Sequence, residues 1–558
     1  MNDIKNYFAL CNLLNYYCNY WIWLAFLFIL NIGALFYINK QLKKKKDSLV
    51  KTDRYSKKLF TKDLILLLIL TVVFLIWKII HLGSNSFDLM ESLNIRIAQE
   101  FQINVFSLLD NMIVQSRQPL YLFILNIPIR LLNPEHYSFF LRFISVFFGI
   151  CTAYLTFHFS LKVFNNKLIS YLSFIFLNVH SLFAFYSRRA EPYALFCFLA
   201  LLSYYYFWQT FISHEEKKIW KYCLVGILCF FTHYFALVVI FSQFLTMLIV
   251  KWRNYRLTHS LPFSFLHFIK ALVIFNFFII LWSPVMYSAI FSGFIFQDAW
   301  GNSFYLNQES AALVIDRIIK LVWGLPLTGS FGYLLILLYL YIILKLRDGK
   351  PSFYIFVVSI LFSALLFGIH SFLCFWYSTS RLYFNVRHFT WIIPFIVMLY
   401  SYGIFLLNRS RSLFRKIIGY TCFSIILIWN IHLTNEMTFG LVNPAYKEAL
   451  RYIKKDFREN DFVGFPADLI DDPITINAKG IFDSERYFDS VPPVDLLQRK
   501  LSCKRLWIVI PWEDYFGVPH LNGETLNRYI NFLKDTLSLK SVWRSNKIDV
   551  YLFNTGRK

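Results

Sequence analysis

The chain has 558 residues, 57% of them hydrophobic and 20% aromatic, with a mean hydropathy of +0.50 and 56 basic against 33 acidic side chains. That composition excludes a soluble globular enzyme, and apolar runs of about 20 residues recurring from end to end describe a polytopic helical membrane protein. The net charge of +23 is compatible with nucleic acid, but the cationic clusters lie between apolar runs, so they read as topology signals facing membrane lipid, with no nucleic-acid partner expected.

In chain order, a polar start rich in Tyr and Asn, without a cleavable signal pattern, leads into a first span at Tyr20 to Asn39. It ends in a basic block, Lys40 and Lys43 to Lys46, then Lys51, Arg54, Lys57 and Lys58, which the positive-inside rule places in the cytoplasm. The second span, Leu64 to Leu82, then delivers a polar loop, residues 83–118, to the outside. Carboxylates are costly in hydrocarbon, so Asp88 and Glu91 sit at the membrane–water interface. Their i, i+3 spacing puts both on one face of a helix that starts at Asp88. Two readings fit: an acid pair that shares a divalent cation or divides acid and base roles, or a capping box with Asp88 at N-cap and Glu91 at N3.

Beyond the loop, runs at 119–133, 138–160, 168–186, 192–212 and 221–250 precede spans near 262–282, 328–345, 352–372, 388–407 and 417–433, for about 11–13 spans in all. Basic clusters at Lys251, Arg253 and Arg256, at Lys345, Arg347 and Lys350, and at Arg409, Arg411, Arg415 and Lys416 alternate consistently, placing loops 283–327 and 373–387 outside. The middle stays open. If every run crosses once, Lys217, Lys218 and Lys221 are outside. If 221–250 is a hairpin broken at Thr232-His233-Tyr234, they are inside, and one earlier run is not a full crossing. After residue 434 the pattern changes: a helix over Pro444 to Phe457, strands at 462–465, 506–510 and 550–553, and an amphipathic helix at 525–537 predict a small α/β domain outside the membrane. The nine cysteines show no metal-type spacing, and no disulfide is expected at Cys503. The predicted class is thus a mostly α, polytopic membrane bundle with a small soluble C-terminal α/β domain. It divides into an extra span and basic loop (1–60), a transmembrane catalytic unit (61–433) and an accessory or acceptor-docking unit (434–558).

The order of several short elements resembles the GT-C membrane glycosyltransferases. The acid pair is followed by Pro119-Leu120-Tyr121, by Arg142-Phe143-Ile144-Ser145, and by Tyr186-Ser187-Arg188-Arg189-Ala190-Glu191-Pro192-Tyr193-Ala194-Leu195. Thr232-His233-Tyr234, and Arg387-His388 ahead of Pro394, complete the series. The bacterial relatives of dolichyl-phosphate-mannose protein mannosyltransferases, and the lipid A aminoarabinose transferases, carry Asp-Glu, Pro-Pro-Leu-Tyr, Arg-Leu-Pro-Ser and Tyr-Ser-x-Glu-x-Arg-x-Tyr-x-Leu at the corresponding points. The resemblance covers about residues 60 to 400. It departs in three places: the acid pair is split by Leu89 and Met90, Ser116-Arg117-Gln118-Pro119 stands where the aminoarabinose branch has Glu-Lys-Pro-Pro, and Arg189 is displaced from the second family arginine.

The resemblance implies transfer of a sugar from a polyprenyl-phosphate donor to a protein, lipid or glycan acceptor at the outer face of a bacterial inner membrane. It implies Asp88 as the base that takes the acceptor's proton, and Asp88 with Glu91 as ligands of a divalent cation, Mg or Mn. Arg117, Tyr121, Arg142, Arg189, His233 and Arg387 are the candidates to hold substrate, the arginines neutralising the leaving phosphate. Two other classes compete. A lipid-linked saccharide flippase or transporter would bury its ionisable groups along a central path. An O-antigen ligase or polymerase would use a late external loop, for which Arg381, Arg387 and His388 stand.

Overall fold

The computed structural model describes residues 61–100, 118–213, 215–258, 263–283, 386–439, 446–458 and 461–465, with further strand and helix segments between 488 and 554. The expected first span, its lysine block, Arg117, the spans at 328–345 and 352–372, most of loops 283–327 and 373–387, and Cys503 lie outside the described residues. Helix α1 (Thr61–Ile79) is followed by α2 (Leu89–Glu100), α3 (Pro119–Leu131), α4 (Tyr137–Phe164), α5 (Lys167–Val179), α6 (Ser181–Tyr186) and α7 (Tyr193–Phe207). Then come α8 (Ile219–Phe230), α9 (Ala236–Thr258), α10 (Phe263–Leu281), α11 (Ile393–Asn408) and α12 (Leu413–Phe439). Among the described residues, four helical stretches are long and apolar enough to cross a membrane. Leu68, Ile69, Val73 and Ile76 of α1, and Leu413, Phe414, Tyr420 and Ile428 of α12, point outward. Outward faces of large apolar side chains on helices of span length fit a lipid surround, and the chain is an integral membrane protein.

Local chemistry sets the breaks. Asn165 takes the left-handed conformation (φ 52°) that ends α4, and the Asn166 side chain accepts the Ile169 N–H to start α5. The predicted run 168–186 is interrupted at His180, which is extended (φ −62°, ψ 120°) and splits it into α5 and α6. Gly149 of α4 lies where a side chain would strike Ser187, whose Cβ is 2.7 Å from an added Cβ, so α4 and the turn after α6 pack backbone to backbone.

The open question of the middle resolves toward the hairpin. The run 221–250 breaks at Phe231 to Phe235 into α8 and α9. The Leu120 N–H donates to Phe231 O (3.0 Å), and the Phe231 ring meets Trp282 just after α10 (5.2 Å). Lys78 near the end of α1 donates to Ser187 Oγ (2.8 Å), and Arg142 near the start of α4 reaches Leu82 O (3.0 Å). These contacts gather the ends of α1, α6, α8 and α10 with the starts of α3, α4, α7 and α9 at one face of the bundle. Chain direction then carries Lys217, Lys218 and Lys221, between α7 and α8, toward the opposite face. The run that does not cross is α3. Tyr121 near its start bonds Ser145 (3.1 Å), and Ile129 near its end accepts from Tyr137 (2.8 Å), so both ends stay beside α4's first turns.

The C-terminal part realises the predicted strand–helix alternation. Helix α13 (Tyr446–Asp456) precedes β1 (Asp461–Phe465), β2 (Phe488–Ser490), β3 (Arg505–Pro511), a small β4–β5 pair (Asp514–Tyr515, Val518–Pro519), β6 (Ser538–Ser545) and β7 (Ile548–Asn554). One five-stranded sheet runs β2-β1-β3-β7-β6, parallel among the first three strands and antiparallel beyond β3. The strand period of two divides β3 between two cores: Trp507 and Val509 pack on Tyr446, Ala449, Leu450 and Ile453 of α13, while Leu506, Ile508 and Ile510 pack on Ile530 and Leu533. Asp461 anchors the sheet to Arg505 (2.6 Å) and to Trp507 Nε1 (2.9 Å).

Candidate active site

The site grows from the start of α2. The Glu91 N–H donates to Asp88 Oδ1 (2.9 Å), and the Asp88 N–H to Glu91 Oε2 (3.3 Å), the reciprocal pair of a capping box. Both acids are fully buried, and a buried carboxylate persists as an anion only with cationic or donor partners. Arg142 supplies them for Glu91, with Nε on Oε1 (2.8 Å) and Nη2 on Oε2 (2.7 Å), and the Ala190 N–H adds a bond to Oε1 (2.9 Å). Arg142 also clamps the loop, donating to the carbonyls of Leu82 (3.0 Å), Asn85 (2.9 Å) and Ser86 (2.8 Å). Arg189 joins the two remaining acids: it pairs with Asp88 and donates from Nε to Glu191 Oε1 (2.5 Å). Three carboxylates from two segments are thus knitted by two arginines.

A cavity of about 220 Å³ opens beside this network. Asn94, Tyr121, Glu191, Tyr193, His233 and Arg387 contribute to its wall. Arg387 lies 5.7 Å from the Tyr193 ring centre, and His233 is 5.3 Å from His388. Burial, then the Arg387 guanidinium, push the His233 imidazole down to about 3. The ring is therefore neutral, and because Nδ1 accepts the Phe235 N–H (3.2 Å), its proton is on Nε2.

The predicted residues separate accordingly. Tyr121, His233 and Arg387 come together on the cavity wall. Asp88 and Arg189 stand behind it, and Arg117 lies outside the described residues. Arg142 stands apart: all five of its N–H donors are engaged by Glu91 and three carbonyls, so it fastens the loop. The cation expected at Asp88 and Glu91 has to share the same lone pairs. Each Glu91 oxygen already accepts two hydrogen bonds, and Asp88 is divided between the helix cap and Arg189, so the pair presents no common vacant lone pairs and does not fit a divalent ion. Among the described residues no cluster of three His, Cys, Asp or Glu side chains is placed to hold a metal. Glu191 was missed as a site residue, although it sits inside the quoted Tyr186 to Leu195 element. Its signal was an acid between two arginines and a proline at the start of a span.

No family model matches the chain, and no curated protein matches it in sequence. The match is in three dimensions. Crystal structures of ArnT from Cupriavidus metallidurans, bound to undecaprenyl phosphate and in the apo state, superpose with TM-scores of 0.52 and 0.51 at 9% sequence identity. Each alignment covers 88% of this chain and 98% of ArnT. The chain has the GT-C fold. The likeness spans both the helical bundle and much of the C-terminal unit, which is more than the short sequence elements reached. Within this GT-C bundle the buried ions collect at one face, where α2, α4 and the turn after α6 meet.

Proposed function

We propose that the chain is a membrane glycosyltransferase that moves a sugar from a polyprenyl-phosphate donor to an acceptor hydroxyl at the extracytoplasmic face of a bacterial inner membrane. One observation carries the reading: a carboxylate, Glu191, and a guanidinium, Arg387, line one cavity at the polar face of a GT-C bundle. The acceptor oxygen attacks the anomeric carbon as the bond to the phosphate oxygen breaks; the bonding pair stays on that oxygen, and the hydroxyl proton goes to Glu191. Arg387 neutralises the charge gathering on the leaving phosphate, and neutral His233 donates from Nε2. Asp88 acts from behind, holding Arg189 and through it the Glu191 carboxylate. Tyr121 and Tyr193 offer ring faces to the sugar. Lys217, Lys218 and Lys221, opposite the cavity, support a cytoplasmic placement of that end by the positive-inside rule. The 434–558 unit serves as an accessory domain beside the cavity.

The test is binding of undecaprenyl phosphate to the detergent-purified chain. Wild type binds it with equal affinity in magnesium and in chelator, since no step passes through a metal, and Arg387→Met weakens binding about 10- to 100-fold, the worth of one charge-assisted hydrogen bond. A wild-type protein that does not bind the lipid overturns the reading.

A further inference from the structure

The C-terminal unit does not simply follow the membrane bundle; its first helix is fastened to the loop that carries the acids. Lys447, in the first turn of α13, reaches two segments of the bundle face, the Gly83–Asp88 loop and the start of α4. Its backbone N–H donates to Ser86 Oγ (2.9 Å), and its ammonium nitrogen to Gly83 O (3.0 Å) and Ser138 Oγ (2.5 Å). The nitrogen also lies 5.8 Å from the Phe87 ring centre, and Arg142 lies 4.8 Å from the same ring. Ser86 and Phe87 immediately precede Asp88. The same loop is held from beneath by Arg142 through the Asn85 and Ser86 carbonyls. The loop is thus gripped from both sides, by a basic residue of α4 and by one from the C-terminal unit.

We propose that Lys447 is a positioning residue, through which the C-terminal unit fixes the Gly83–Asp88 loop and so sets the capping box and the Asp88–Arg189–Glu191 chain at the cavity wall. The inference rests on the glycosyltransferase reading for its consequence at the cavity, while the grip on the loop stands on geometry alone. Lys447 does not line the cavity, so it acts without touching a substrate there. The donor count supports the role. Burial, then the charges of Arg142 and Arg451, bring the Lys447 ammonium down to about 7, with Glu91 opposing. Two acceptors, Gly83 O and Ser138 Oγ, take donors from its side-chain nitrogen in either protonation state. A methionine at this position keeps the stem packing on Phe87 and removes only the donors.

The experiment measures hydrogen–deuterium exchange of the full chain in detergent, with undecaprenyl phosphate binding read in parallel. The amides of Asp88 and Glu91 report the capping box directly, and the Ser92 amide, which donates to Asp88 O, reports the first helical bond beside it. Lys447→Met is expected to speed their exchange about tenfold or more, leave the amides of β3 and β7 at wild-type protection, and weaken undecaprenyl phosphate binding several-fold. Lys447→Arg, which restores donors, returns exchange toward wild type. Ser138→Ala gives a smaller effect that is not additive with Lys447→Met, as expected for partners in one contact. Unchanged exchange at residues 88–92 in Lys447→Met, with β3 and β7 intact, overturns the proposal. Faster exchange in a protein whose wild type binds no undecaprenyl phosphate keeps the grip and removes the glycosyltransferase reading, so the two failures are distinguishable.

Discussion

The pair Glu191→Gln and Asp88→Asn separates the residue on the cavity wall from the one behind it. In Glu191→Gln, Arg189 keeps Asp88 and loses one charged partner, a local cost of about 1.5–3 kcal/mol for a hydrogen bond to a charged group. The amide has no basic lone pair at neutral pH, so transfer should fall by about 10²- to 10⁴-fold. In Asp88→Asn, the amide oxygen still accepts the Glu91 N–H, so the cap itself is nearly unchanged. What is lost is the charge opposite Arg189, again about 1.5–3 kcal/mol, but Glu191 remains to hold that guanidinium. Transfer should then drop by roughly tenfold, as the chain that orients Glu191 slackens. Asp88→Ala removes the cap as well and adds about 1 kcal/mol of helix destabilisation.

The assay follows release of undecaprenyl phosphate from lipid-linked sugars in membranes holding equal amounts of each variant, with thermal unfolding as the control for folding. The expected order is wild type, Asp88→Asn, then Glu191→Gln far below. If Glu191→Gln stays within threefold of wild type while Asp88→Asn loses a hundredfold or more, the cavity argument is refuted and the base is Asp88. If both remain near wild type, neither carboxylate moves the proton.

Two further outcomes follow from the same network and from the bundle's direction. Arg142→Met leaves Glu91 buried without its cation and should destabilise the protein by about 3–5 kcal/mol, measured by thermal or denaturant unfolding, whereas Arg142→Met with Glu91→Leu should recover a large part of that loss. Asn85 is exposed on the loop at the cavity face, so Asn85→Cys, in a background without accessible native cysteines, should react with an impermeant thiol reagent added from outside. Labelling only after the cytoplasmic side is opened would invert the proposed orientation.

Much of the fold was legible because hydrocarbon imposes strong rules on sequence. Apolar runs of span length located α1, α4, α7 and α12, and short continuous apolar runs marked β1, β3 and β7, since both patterns record a choice between water and a nonpolar neighbour. The run 221–250 was ambiguous for the same reason. Hydropathy measures whether a segment prefers lipid, while direction depends on where a turn such as Phe231 to Phe235 finds partners, here Leu120 and Trp282. Those partners are more than 40 residues away in the chain, beyond any local window.

The site shows a sharper limit. Spacing identified Asp88 and Glu91 as a unit and left capping and catalysis as rival readings. The cap is present, and it leaves the second Asp88 oxygen to face Arg189. A carboxylate has two oxygens, and a helix cap occupies only one of them. The arginines show the converse. Arg142, Arg189 and Arg387 were equal candidates to hold a substrate phosphate, since each precedes or opens a span. Their positions separate them: carbonyls and Glu91 hold Arg142, two carboxylates hold Arg189, and Arg387 lines the cavity. In a buried polar cluster the function of each charge is set by what its neighbours leave available. That is why Glu191, two residues from Arg189 in sequence, emerged only once the carboxylates and arginines could be matched atom by atom.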